Sequence, residues 1–132
     1  MQSIEIANRE VRYDNQLRLT YKIKITRTIY TNKLTRKKYT RYKIRIPHEL
    51  QNLLKNYDKL YFYKKDNMIH ITTEEKDKIL RSCKIQKQKY YKKMEYSFNL
   101  SKKLFNIQDS SYLMWNVLLE NNKIIDSIVK LI

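Results

Sequence analysis

The residues with the most chemistry in this chain are cations. Between Asn15 and His48 there is no carboxylate, against Arg18, Lys22, Lys24, Arg27, Lys33, Arg36, Lys37, Lys38, Arg41, Lys43 and Arg45. A second run, Lys84, Lys87, Lys89, Lys92 and Lys93, is unbroken until Glu95. Charge at this density favours a polyanion, and neutralising several phosphates gives an affinity that falls steeply with salt. The bland alternative is a solvated surface, but such surfaces usually balance Lys with Glu, and this one does not. Tyr39, Tyr90 and Tyr91 stand among the cations, where their rings could stack on bases or instead pack on the scaffold. Lysine is a point charge suited to phosphate, whereas the arginine fork reads guanine edges. The first run holds Arg36 and Arg41, and the run from 84 to 93 holds only lysines. The first is therefore expected to discriminate sequence and the second to hold backbone.

Other chemistry is thin. His48 and His70 lie far apart, with no Cys or carboxylate at ligand spacing, so neither a metal nor a cofactor is expected. No Ser/His/Asp order or paired-acid motif stands out, and Glu74, Glu75 and Asp77 read as a solvated turn; an enzyme is the least expected reading. The lone Cys83 excludes an internal disulfide framework and reads as a small, mostly buried hydrophobe. There is no glycine, which disfavours P-loops and dinucleotide folds, whose backbones must approach phosphate closely.

At 132 residues, 42% hydrophobic and +16 net, the chain can bury a core as one domain or as two small units sharing one. It has no apolar run long enough to cross a bilayer and no signal-peptide pattern at its start, which predicts a cytoplasmic protein with no membrane partner. Abundant Ile, Lys, Tyr and Asn suggest an AT-rich genome, that of a hyperthermophile or its virus, or of an AT-rich mesophile.

The elements that must position the cations are strands. A brief strand is expected at residues 4 to 6. Leu17, Leu19, Tyr21, Ile23 and Ile25 alternate with Arg18, Lys22 and Lys24, the pattern of a half-buried strand. A polar loop, "TNKLTRKK", follows. Alternation resumes at Tyr42, Ile44 and Ile46, and Pro47, the only proline, closes this strand and opens a short helix carrying Leu50, Leu53 and Leu54. "DKLYFYKK" and "MIHIT" form a hairpin around Asp66-Asn67, residues that tolerate positive φ in place of glycine. Next comes "KILRSCKIQK", a strand, although Thr72 with Glu75 resembles a capping box. "QKYYKK" reads as a basic loop. Tyr96, Phe98 and Leu100 alternate, Ser101 is a favoured cap for a second helix with Leu104 and Ile107, and a last hairpin turns at Asn121-Asn122. Trp115, Phe62 and Phe98 are expected in the core.

The second half thus repeats the order of the first. Tyr42 matches Tyr96, Leu50 matches Leu104 and Asn52 matches Asn106 at a spacing of 54; Tyr57 matches Tyr112, Asn67 matches Asn122 and Ile69 matches Ile124 at 55. The domain plan is an N-terminal extension over 1–16 and repeats over 17–72 and 73–132 that share a core.

"RYKIRIPHELQNLLKNYDKLYFYKKDNMIHIT" resembles the SpoVT/AbrB-type swapped-hairpin domain, through Ile44, Ile46, Pro47, Glu49, Leu50, Asp58 and Ile69. "YSFNLSKKLFNIQDSSYLMWNVLLENNKII" is similar to a more divergent copy, including Trp115 in its third strand. Tyr57 replaces the family's glycine before Asp58, and the second copy lacks both the proline and the Gly-Asp. The resemblance implies a mostly β fold with two short helices, in which the two repeats interleave into one small barrel as a pseudo-dimer within one chain. It also implies duplex DNA as partner, contacted by the loop between the first two strands of each copy, as in a transcription regulator or architectural protein. The chain is then expected as a monomeric pseudo-dimer or a homodimer. An RNA-binding or ribosome-associated protein, a viral protein inhibiting a host factor, and an antitoxin are the alternatives; the last is the weaker because no polar tail follows "IVKLI".

The residues expected to touch nucleic acid are Lys33, Arg36, Lys37, Lys38, Arg41, Lys43, Arg45, Lys84, Lys87, Lys89, Lys92 and Lys93, with Tyr39, Tyr90 and Tyr91.

Overall fold

A computed structural model describes residues 4–11, 16–76, 78–107 and 110–132, with burial and side-chain contacts from Gln16 onward. Asp77, expected in a solvated turn, lies outside the described residues. The described chain is mostly β. In order it runs β1 (Ile4–Val11), β2 (Gln16–Lys24), β3 (Thr26–Thr31), β4 (Lys38–Arg45), α1 (His48–Gln51), β5 (Lys59–Lys65), β6 (Met68–Thr72), β7 (Arg81–Lys84), β8 (Gln86–Tyr90), β9 (Lys93–Leu100), β10 (Tyr112–Glu120) and β11 (Lys123–Leu131). The first strand is longer than the brief one expected, and it pairs with β2 at one edge of the larger sheet.

Two sheets face one core. The larger has the order β1-β2-β10-β11-β6-β5-β7 and the smaller β3-β4-β9-β8. Both keep free edges, so the expected closed barrel is not formed among the described residues. With β1 set aside, both orders read the same from either end, each strand of the first half facing its counterpart from the second. The pairing is exchanged: β2 of the first half pairs with β10, and β7 of the second half pairs with β5. In the smaller sheet β4 and β9 pair through Ile44↔Phe98, and Ile46 continues the ladder by donating its N–H to the Tyr96 carbonyl at 2.7 Å.

Alternation places the core correctly. Leu19, Tyr21, Ile23, Ile25, Ile44 and Ile46 are buried from the first half, and Phe98, Leu113, Trp115 and Val117 from the second. Phe98 is the hub, with its ring 5.7 Å from Trp115 and 6.1 Å from Phe62. Both two-residue turns form as expected, with positive φ at Asp66 (52°), Asn67 (62°), Asn121 (50°) and Asn122 (62°).

Among the described residues only one helix forms. Pro47 is its cap rather than its first residue, with its carbonyl accepting the Leu50 and Gln51 N–H groups. Leu50 and Leu54 are then fully buried one turn apart. After Ser101 the chain makes a single turn: the Ser101 hydroxyl accepts from the Lys103 N–H, and its carbonyl accepts from Leu104 and Phe105. The buried residues there are Phe105 and Ile107, an extended spacing, with Leu104 only half-buried. Lys102 and Lys103 would also oppose the positive end of a helix starting there, where α1 has Glu49 in its first turn. The capping box at Thr72 and Glu75 opens no helix; the Thr72 hydroxyl donates to the Glu74 carbonyl instead.

Candidate nucleic-acid interface

The outer face of the four-stranded sheet and the tips of its two hairpins gather most of the expected cations. Strand alternation sends Tyr42, Ile44 and Ile46 inward, and so Tyr39, Arg41, Lys43 and Arg45 outward. Register places Thr26, Thr28 and Tyr30 of β3 beside them, opposite Lys43, Arg41 and Tyr39. From β9, Lys93, Glu95, Ser97 and Asn99 share that face, and from β8 so do Gln86, Gln88 and Tyr90.

All of β3 is exposed, so β3 and β4 leave the core as a two-stranded arm. Lys33, Arg36 and Lys37 cap it in a tight loop. The Asn32 side-chain oxygen accepts from the N–H groups of Leu34 and Thr35, its carbonyl accepts from Arg36, and Arg36 takes φ 58°. Along the arm, the Tyr30 and Tyr39 rings stack at 5.5 Å, and the Arg41 guanidinium lies 4.7 Å and 5.4 Å above them. Arg41 also donates to the Tyr39 hydroxyl at 3.4 Å. The aromatic pair thus holds the guanidinium in place. Tyr30 escaped the sequence reading because its partner Tyr39 lies across the hairpin; a register count over "TRTIYTNKLTRKKYTR" would have found it.

The second arm is different. The expected basic loop at 88–93 is mostly strand, with β8 and β9 joined by the two-residue turn Tyr91-Lys92. Lys89, Lys92 and Lys93 are exposed along it. Lys87, on the same side of β8 as Lys89, is instead drawn in: it donates to the Lys55 carbonyl at 2.9 Å, lies 5.3 Å over the Tyr96 ring and sits 3.8 Å from Asp58. Lys84 belongs to the larger sheet, opposite Lys59. Lys84 and Lys87 are therefore placed off the shared face, and so by alternation are Lys89 of β8 and Lys38 of β4, although both stay exposed.

The halves are also unequal on the shared face. At the 54-residue spacing of Ile44 and Phe98, the places of Arg41, Lys43 and Arg45 are taken by Glu95, Ser97 and Asn99. Glu95 pairs back across the seam with Lys43 at 3.0 Å and Arg45 at 3.4 Å. Such partly exposed pairs contribute little to stability, about 0–1 kcal/mol, but they tether two of the three outward cations of β4, Lys43 and Arg45, and leave Arg41 without a carboxylate partner.

The hairpin tips lie at opposite ends of the sheet, closed by Thr31↔Lys38 and Tyr90↔Lys93. Six residues separate Lys38 from Ile44 and five separate Lys93 from Phe98, so the tips stand roughly 36 Å apart at 3.3 Å of strand rise per residue.

One polar cluster was missed altogether. On the larger sheet, His70 Nδ1 lies 3.1 Å from both carboxylate oxygens of Asp126, and the Tyr63 hydroxyl donates to the same carboxylate at 3.0 Å. The Tyr63 ring stacks on His70 at 4.9 Å. Burial, then the hydrogen bond to Asp126 and its charge, push the Tyr63 phenol up to about 12. The three residues are far apart in sequence, and no local signal joins them. Among the described residues no group of three or more His, Cys, Asp or Glu could hold a metal ion, and no helix is long and apolar enough to cross a membrane.

Compared with known proteins, the chain matches no family model, no curated protein and no solved structure at significant similarity.

Proposed function

We propose that this protein binds duplex DNA through the outer face of its four-stranded sheet and the two arms that extend it. The observation that carries this reading is the joining of two cationic arms by one open face, with tips roughly 36 Å apart, close to the 34–36 Å of one B-DNA turn. Each arm would then meet the same side of the duplex one turn from the other. The net charge of +16 supports a polyanionic partner. The palindromic strand order with exchanged hairpins supports the resemblance to the SpoVT/AbrB-type domain, and with it a pseudo-dimer within one chain. A regulator or an architectural protein fits this geometry, and the unequal halves favour an asymmetric site over a palindrome.

The test is direct binding of duplex DNA, single-stranded DNA and duplex RNA at two salt concentrations. Duplex DNA should bind most tightly, with log K falling by about 0.9 per log unit of salt for each phosphate neutralised. Lys37→Ala with Lys38→Ala, and Lys92→Ala with Lys93→Ala, should each weaken binding and flatten that slope while the fold stays intact. Equal affinity for duplex RNA would move the reading to an RNA-binding protein, and affinity untouched by both double variants would place the interface elsewhere.

A further inference from the structure

Seven described residues take positive φ, and four of them are the Asp and Asn of the two turns already described. Two of the other three stand at the arm tips, Arg36 and Tyr91 (φ 54°). A bulky side chain in this region is sterically disfavoured, and persists where the surroundings or the function require it. The Tyr91-Lys92 turn has positive φ at its first central residue, a place that two-residue hairpins give to glycine. This chain solves the same problem with Asp or Asn in its other two hairpins. Packing does not explain the exception: Tyr91 is 98% exposed and makes no side-chain hydrogen bond, ion pair or ring contact. Tyr91 borders a groove whose walls carry Lys43, Arg45, Lys92 and Lys93, with Glu95 as its one carboxylate among the described residues.

An exposed aromatic ring among cations is the combination that stacks on a base while the lysines hold its phosphates. In an intact duplex the base faces are already covered, so such a ring needs a base that has left the stack. We propose that Tyr91 is a base-stacking residue, and that the second arm captures an unstacked base in duplex DNA while the first arm holds the intact helix beside it. The inference rests on the duplex-binding reading and adds a preference to it: a duplex with a one-base bulge or a mismatch should bind more tightly than the same duplex fully paired.

The experiment compares paired and bulged duplexes of one sequence, with 2-aminopurine as the bulged base. The protein should prefer the bulged duplex by about tenfold, the order of one base–aromatic stack, and should quench the 2-aminopurine fluorescence. Tyr91→Phe should keep both effects, because the ring and not the hydroxyl makes the stack. Tyr91→Asn should lose both, its affinity for the bulged duplex falling to that for the paired one, with a Tm equal to or above that of the parent because asparagine suits this φ. Equal affinity for the two duplexes, or a preference and quenching that survive in Tyr91→Asn, overturns the role of Tyr91 and leaves duplex binding standing. Failure to bind either duplex at low salt overturns both readings.

Discussion

Ile44 and Phe98 face each other across β4 and β9, 54 residues apart, and each occupies in its own half the place that the other occupies in its. The pair marks the centre about which the strand order of both sheets repeats. Its side chains also lie at the middle of the core, both fully buried.

Truncation at this centre should be costly. Phe98→Ala removes a ring that meets Trp115 and Phe62, and a loss of about 3–5 kcal/mol is expected from urea denaturation. Leu50→Ala, on the buried face of α1, should lose about 2–5 kcal/mol. Leu104→Ala should lose less than Leu50→Ala, because Leu104 is half-buried in a turn and Leu50 fully buried on a helix. Equal losses for the two leucines would mean that the second copy packs its turn as tightly as the first packs its helix.

The tyrosine ladder under Arg41 makes a separate prediction about sequence reading. Arg41→Lys keeps the charge but loses the planar fork and its stacking on Tyr30 and Tyr39. Selection from random duplexes followed by competition binding should show a lower ratio of specific to non-specific affinity, with the salt slope nearly constant. Lys92→Ala should do the reverse, reducing the slope by roughly one unit with specificity retained. A parent protein that selects no preferred sequence would remove the reading role from Arg41 and favour a general architectural one.

Tyr63 predicts a change of stability in alkali. Its phenol rises from 10.0 to about 12 in the folded protein, through burial first and then through Asp126. The folded state therefore holds this proton more tightly than the unfolded chain does. The resulting stability is fully present below pH 10 and is lost as pH rises through about 12. Thermal unfolding of the parent and of Tyr63→Phe between pH 9 and 12 should show the gap between them changing in that window. Comparison with the variant cancels the common effect of the titrating lysines, and a constant gap would count against the upward shift of the phenol by burial and Asp126.

Cys83 predicts chemical silence. Burial pushes its thiol from 9.0 up to about 12, against smaller lowering effects from the Leu60 backbone and Arg81. The thiolate is the reactive form. Alkylation by iodoacetamide at pH 8 should accordingly be slow in the folded protein and rapid in urea. Fast labelling of the folded protein would show that the β5–β7 edge, where Leu60 faces Cys83, opens readily.

The strands, the turns and the charge were legible in the sequence because each is a local property. Period-two alternation put Leu19, Tyr21 and Ile23 on one face, and the φ preference of Asp and Asn set the turns at 66–67 and 121–122. The run from Arg18 to Arg45 was plainly cationic. The helix after Ser101 was misread because alternate burial of Phe105 and Ile107, which depends on what lies opposite, outweighed a good local cap. Only the tertiary structure decided partners. Alternation says which face of β2 is buried but not that β10 is its neighbour, since every half-buried strand presents the same backbone ladder. The same holds for the site. Lys87 sits in a cationic run, but a carbonyl from Lys55 claims it. Arg41 gains its platform from Tyr30 across a hairpin, and His70 meets Asp126 only because β6 and β11 adjoin. Charge and periodicity are fixed by the order of residues, whereas contact depends on register and sheet order, which the chain settles only by burying both halves in one core.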